Sequence, residues 1–275
     1  QRERARAASK FGTGDLSAYQ ALAEEGLTTS FVGYDHDTSE SSVQAILVDG
    51  QRIPRAAPGQ RIEVVVSETP FYAESGGQSG DTGTLSTGEG DTLCVVRVED
   101  TRKPFGDVIV HIGTVESGTL LQGAQATLAI DVESRDATRK NHSATHLLHH
   151  ALHEVLGAHV RQRGSLVGPH RLRFDFSHTK GMTSEEMVQV DMLVNRLIQR
   201  NEPIETRLMS FDAAVESGAT AFFEEKYGDE VRVLEVGSES TELCGGTHAR
   251  ATGDLGLFKL TSEGAISSGV RRVEA

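Results

Sequence analysis

The chain has 275 residues, 37% of them hydrophobic and 24% charged, and a net charge of −13. That size and balance point to two domains or one large one, and they exclude disordered, collagen-like and coiled-coil chains. The surplus of 40 Asp and Glu over 27 Lys and Arg argues against wrapping nucleic acid by bulk electrostatics, while leaving room for a local basic groove. No apolar run approaches the roughly 20 residues of a membrane span, and no basic-then-apolar leader follows Gln1, so the expectation is a cytoplasmic chain without a membrane partner. The opening QRERARAASKFG, helical in pattern and without Met, reads as part of something longer. Cys94 and Cys244 are expected to be reduced thiols, and the absence of Trp, with 5% aromatics, argues against a stacking platform for bases.

The elements follow in chain order. Residues 1–26 read as a basic, Ala-rich stretch and a short helix, LSAYQALAEEG, with too little apolar surface to fold alone. From residue 27 to 132 the pattern changes to short β-branched runs: SFVGY, VQAILV, RIEVVV, TLCVVRV, DVIVHIGTV and ATLAIDV. Asp49-Gly50 between two of these is a two-residue hairpin signal, and the set predicts a small antiparallel barrel or sandwich, of which the barrel is the fold class taken here. Cys94 falls in one strand and is expected in the core. From residue 133 to 275 the period alternates. A helix of about six turns is expected from Ser134 to Gly157. Two strands, HVRQRGSLV and RLRFDFS, come next, followed by a helix from Thr183 to Asn201 opened by the capping-box pair Thr183 and Glu186. Strands at PIETRLM, VRVLEVG, GLFKLTSEG and SSGVRRVE and a short helix near FDAAVESG complete an α+β domain, with helices packed on an antiparallel sheet.

Eight of the eleven histidines lie between His142 and His178, and five sit in the long helix: His142, His146, His149, His150 and His153. Two imidazoles at i and i+4 point at one spot, as helical metal-ligand pairs do. Three such pairs exist, His142 with His146, His146 with His150, and His149 with His153, and spacing does not choose among them. Cys244-Gly-Gly-Thr-His248 supplies a thiolate and an imidazole in a Gly-rich turn, so a helical pair plus this loop makes one cysteine and three histidines, a set that favours zinc. The competing reading is exposed histidines and a small buried cysteine. For His149, His150 and His153 a solvated polar face is expected.

The segments NHSATHLLHHAL, GSLV, RFDFSH, TELCGGTH, GLFKLTSEG and GVRRVEA together resemble the editing domain of the alanyl-tRNA synthetase family, and FYAESGGQSGD resembles the Gly-rich segment of the barrel that precedes it. The resemblance covers nearly the whole chain, with residues 1–26 like the end of a helical tRNA-recognition region. Ser79 stands where a valine-like residue is expected. The resemblance implies zinc on His142, His146, Cys244 and His248, and an aminoacyl pocket lined by Thr145, Gln162 and Ser165. It implies hydrolysis of the ester in tRNA(Ala) mischarged with serine or glycine, within a parent synthetase that ligates alanine using ATP. The alternatives are a free-standing editing hydrolase and a non-catalytic RNA-binding module with a structural zinc.

Zinc with three protein ligands would activate a water, whereas four ligands would close the site. Orientation of substrate is a third role, and the sequence does not separate them. In RQRGSL strict alternation puts Gln162 and Ser165 on opposite faces unless Gly164 marks a bulge. Arg161, Arg163, Arg171 and Arg173 give this hairpin a local positive charge suited to phosphates, or merely a solvated face. Gly76-Gly77-Gln78 is the remaining tRNA-contact candidate; consecutive glycines mark a turn, and the family resemblance makes it a loop close to the tRNA end that packs against the editing site.

Overall fold

The computed structural model describes residues 16–216 and 230–275, and the basic stretch at residues 1–10 lies outside them. The chain forms two compact units. One contains the described residues up to Glu74 together with Gly80–Val132; the other contains Ser75–Ser79 together with the described residues from Glu133 to Ala275. No described helix is long and apolar enough to cross a membrane.

In the first unit helix α1 (Ser17–Glu24) precedes strands β1 (Thr38–Val48), β2 (Arg61–Val66), β3 (Gly83–Thr87), β4 (Cys94–Phe105), β5 (Val108–Ser117) and β6 (Gln125–Ile130). They pair antiparallel in the order β6-β3-β4-β5-β2-β1, and β6 also pairs with β1, so the sheet closes into the expected barrel. Asp49 and Gly50 take φ of 50° and 75°, as a tight hairpin turn requires, and Val48 pairs with Gln51 across it. The barrel interior holds Val43, Ile62, Val64, Leu85, Val96 and Leu128, with Cys94 among them.

Within VQAILV and RIEVVV, residues 45–48 and 64–66 are continuously apolar because both faces of these strands are covered. Ala45, Leu47 and Val65 point outward onto α1, where Leu22 is buried. Burying one such leucine is worth about 1.5–3 kcal/mol, and Tyr19 fastens the helix by donating its hydroxyl to Glu63 at 2.8 Å. The described part of residues 1–26 therefore belongs to the barrel unit, where its short apolar stripe finds a partner.

The second unit contains α2 (Val132–Leu156), β7 (Gln162–Val167), β8 (Leu172–Ser177), α3 (Ser184–Gln199), β9 (Ile204–Ser210), α4 (Phe211–Glu216), β10 (Glu230–Val236), β11 (Ser240–Leu243), β12 (Ser262–Ser267) and β13 (Val270–Glu274). These strands make two antiparallel sheets where one was expected, ordered β7-β8-β13-β12 and β9-β10-β11. Leu148 and Leu152 of α2, Val190 and Val194 of α3, Phe174, Leu234 and Val273 form the shared core. The Thr183 and Glu186 capping box is present, with Thr183 Oγ1 accepting from Glu186 N at 3.1 Å and Glu186 returning to Thr183 N at 2.7 Å. The expected strand at GLFKLTSEG starts only at Ser262. Before it, Phe258 N and O are taken by the Asn195 side chain, and Leu260 N by Asp191, so α3 supplies the bonds that a strand partner would have given.

His111 is wholly buried in the barrel unit. Its Nδ1 faces Val64 O at 3.1 Å and its Nε2 faces Thr69 Oγ1 at 2.7 Å. Burial pushes it down from 6.5 to about 4, against the opposing bond to Val64. The unfolded chain therefore binds a proton that the folded chain refuses. Stability from this group is full above pH 6.5 and is lost as pH falls toward about 4, by roughly 3 kcal/mol in all. Calorimetric melts of wild type and His111→Gln at neutral pH and at about pH 4.5 check this: the wild-type barrel transition should fall further on acidification than the variant's, and equal falls would remove His111 as the cause.

Candidate metal centre

The site is built on one face of α2 and on the loop after β11. A helix repeats its face every 3.6 residues, so His142 and His146 stack above one another, with ring centroids 5.3 Å apart. Cys244 and His248 approach the same place from the loop. The ligand atoms of His142, His146, Cys244 and His248 all lie within 4.8 Å of one another, and they form the one group of this kind among the described residues. Cys244 Sγ is 3.7 Å from His142 Nε2 and 3.3 Å from His248 Nε2. A tetrahedral zinc with Zn–S near 2.3 Å and Zn–N near 2.0–2.1 Å spans S···N distances of roughly 3.6 Å. His146 Nε2 is buried there without a hydrogen bond of acceptable geometry, a cost that a cation would remove. Donor type, spacing and this orphaned nitrogen all suit zinc.

Each imidazole is held from behind through Nδ1. His142 donates to Gln78 Oε1 at 2.8 Å, His146 donates to a Glu242 carboxylate oxygen, and His248 Nδ1 pairs with Ser143 Oγ at 3.2 Å. Partners of this kind fix ring orientation and leave Nε2 turned toward the metal. Electrostatics favour the thiolate form that a metal would take as ligand. Burial opposes ionisation of Cys244, yet the neighbouring His142 and His248 hold its thiol well below the ordinary range. Burial likewise works against charge on His146 and Glu242, but their mutual attraction wins, raising His146 and lowering Glu242, so that a metal arriving at His146 Nε2 would displace a proton. Burial keeps His248 neutral, at about 3, with His142 adding to the effect.

Gln162 and Ser165 come together. Gln162 pairs with Phe176 and Gly164 with Asp175, so Arg163 is the extra residue of a bulge. The bulge restores a common face, and Gln162 Nε2 donates to Ser165 Oγ at 3.3 Å. Thr145 is buried in α2, where its hydroxyl donates to Asn141 O at 2.8 Å, and among the described hydrogen bonds it meets neither of them. Gln162 and Arg163 also line a groove of about 580 Å³ with His149, His150 and His153. The expected solvated histidine face is therefore corrected: His149 is buried, its Nδ1 donates to Glu242 Oε1 at 3.4 Å, and its ring lies 5.4 Å from Phe174.

The tRNA-contact candidates divide. Arg161 is turned back onto Ala158 O and Val160 O, Arg171 faces Glu274 at 3.6 Å, and Arg173 faces Asp175 at 3.8 Å. Arg163 is exposed and makes no ion pair or hydrogen bond among the described residues. Gly76 is exposed at the tip of its turn, and Gly77 packs so closely on Ser165 that a Cβ would lie 2.2 Å from Oγ. Gln78 is corrected outright: it is fully buried, bonded to His142 and Thr247, and unavailable to RNA. Sequence reasoning also passed over Glu242 and Ser143. The carboxylate two residues before Cys244 was the available signal.

A Cβ on Gly246 would lie 2.1 Å from His142 Cε1, whereas one on Gly245 would meet nothing within 4 Å. Gly246→Ala should therefore lower stability by about 1–3 kcal/mol and Gly245→Ala by less than about 0.5 kcal/mol. Thermal melts of the two variants test this, and equal effects would mean that the loop is not seated against the helix.

Comparison with known proteins now bears on these residues. The family described as tRNA synthetases class II (A) matches residues 1–134, and the second additional domain of threonyl and alanyl tRNA synthetases matches residues 231–274. Over 281 residues the chain is 48% identical to an alanine–tRNA ligase of Paramagnetospirillum magneticum, and over 289 residues 50% identical to that of Paracoccus denitrificans. The alanine–tRNA ligase of Parvibaculum lavamentivorans is 48% identical over 286 residues. Each comparison covers the whole of this chain and 32% of the relative. The chain thus belongs to the alanyl-tRNA synthetase family, of whose members it spans about a third, the additional domain included.

Proposed function

We propose that the second unit is an editing hydrolase that cleaves the ester of tRNA(Ala) carrying serine or glycine, with zinc held by His142, His146, Cys244 and His248. The observation that carries this is the convergence of those four donors, within 4.8 Å, in a chain of the alanyl-tRNA synthetase family. Zinc held by all four side chains would be a closed site whose charge orders the pocket, and contact with an ester carbonyl or a water would require one of the four ligands to give way. The polypeptide does the rest. Gln78, Glu242 and Ser143 hold the imidazoles, and Gln162 and Ser165 present an amide and a hydroxyl on one face. With Thr145 they are proposed to line the aminoacyl pocket. Groups that bond a seryl hydroxyl are left unpaired when alanine enters, and such sites discriminate by ~10⁴. That argument does not extend to glycine. The RNA contacts are proposed at Arg163 and Gly76, and the full relative would ligate alanine using ATP in the cytoplasm.

Elemental analysis of the purified chain should find one zinc per molecule, lost in the double variant Cys244→Ala with His248→Ala. Unchanged metal content there would sink the ligand assignment. Gln162→His should slow deacylation of seryl-tRNA(Ala) by about 10-fold or more with zinc content unchanged, because the ring crowds the face shared with Ser165. Wild-type rates in that variant would refute the pocket, and no hydrolysis by wild type at saturating mischarged tRNA would favour a non-catalytic RNA-binding module.

A further inference from the structure

The buried amide of Gln78 touches both elements that carry the candidate ligands. Its Oε1 accepts from His142 Nδ1 on α2 at 2.8 Å and from Thr247 N at 2.9 Å, and its Nε2 donates to Thr247 Oγ1 at 2.8 Å. Thr247 stands between Cys244 and His248, and it too is buried. A backbone N–H can only donate, so the Thr247 bond fixes which end of the amide is oxygen. The His142 nitrogen facing that oxygen must then carry the proton. His142 Nδ1 is thereby held protonated, leaving Nε2 as the nitrogen that faces Cys244 Sγ.

Three features keep the amide in place. Gln78 closes a tight turn with Ser75, the two exchanging backbone bonds at 2.9 and 3.2 Å. The left-handed Gly76 and Gly77, with φ of 58° and 90°, make that turn possible. Val167 N donates to Gly77 O at 2.7 Å and Ser79 N donates to Val167 O at 2.9 Å, stitching the segment along β7. No room is left for error on the far side, since a Cβ at Gly246 would lie 2.9 Å from Gln78 Oε1.

We infer that Gln78 is a positioning residue of the metal centre: one amide sets the tautomer of His142 and registers the Cys244–His248 loop against the helix. This rests on the proposed zinc reading and deepens it, giving the Gly-Gly-Gln turn a task inside the site in place of one on the RNA.

The test uses the full 275-residue chain with three readouts: circular dichroism for fold, ring-nitrogen NMR of His142 without metal, and zinc affinity by chelator competition. Gln78→Met keeps length and apolar bulk but removes the acceptor. It should weaken zinc binding by about 10–100-fold and release His142 into a mixture of tautomers. Gln78→Glu offers a carboxylate to the same two N–H donors and should return affinity to within about threefold of wild type. A folded Gln78→Met with wild-type affinity and an unchanged tautomer would overturn the inference. So would a folded Gln78→Glu as weak as Gln78→Met, since only packing would then be at stake. Should Gln78→Met not fold, the wild-type NMR decides alone: a His142 whose Nδ1 carries no proton would overturn it. Failure of wild type to bind zinc would instead strike the metal assignment, leaving the tautomer measurement to judge Gln78.

Discussion

The site of the second unit depends on holding three imidazoles and a thiol together, two of them buried and two half-buried. A buried polar atom without a partner costs on the order of 1–3 kcal/mol, and each imidazole has two nitrogens to satisfy. The structure answers for the outer nitrogen every time, with an amide at His142, a carboxylate at His146 and a hydroxyl at His248. The inner nitrogens are left to converge on Cys244. Such an arrangement makes little sense as a core, where apolar side chains would pack at no electrostatic cost. It makes sense when a cation completes it.

That requirement explains the backbone around the site. The loop bearing Cys244 and His248 passes so near His142 that only glycine fits at 246. Arg232 donates to Gly246 O at 2.8 Å, and Cys244 N donates back to Arg232 O at 3.0 Å, so the loop is tied to β10 on its other side. The bulge at Arg163 serves the neighbouring face in a similar way. An extra residue breaks strict alternation, brings Gln162 beside Ser165, and leaves the exposed Arg163 side chain along the same groove.

What the sequence revealed and what it hid follow from the range of the interactions. The Asp49-Gly50 hairpin, the Thr183 and Glu186 capping box and the histidine spacing in α2 are all set within a few residues, and each was legible. The bulge was legible only as a conflict between strand parity and a shared pocket. Gln78 was misread because its partners lie 64 and 169 positions away, and its neighbouring glycines look like any turn. His149 was misread because helical periodicity reports direction but not what lies there, which is Phe174 and a carboxylate already shared with His146. GLFKL has the composition of a strand, and only the bonds offered by Asp191 and Asn195 divert it.

Charge sets the last constraint, on how RNA could be held. The −13 net charge gives no long-range attraction to a polyanion. The hairpin arginines that looked like an exception are largely engaged within the protein, Arg171 with Glu274, Arg173 with Asp175 and Arg161 with backbone carbonyls. Arg272 is locked bidentate onto Asp175 at 2.6 and 2.8 Å, and Arg271 onto Glu263 at 2.6 and 2.7 Å. A phosphate would have to displace these carboxylates, which forfeits much of what the new contact gains. Few phosphate contacts also mean a shallow salt dependence, because each neutralised phosphate contributes to the slope through the counterions it releases. On the proposed reading, selectivity in this unit comes from the reacting end of the ester, where the four candidate ligands and the face of Gln162 and Ser165 lie on neighbouring elements, and affinity for the rest of the tRNA comes from elsewhere.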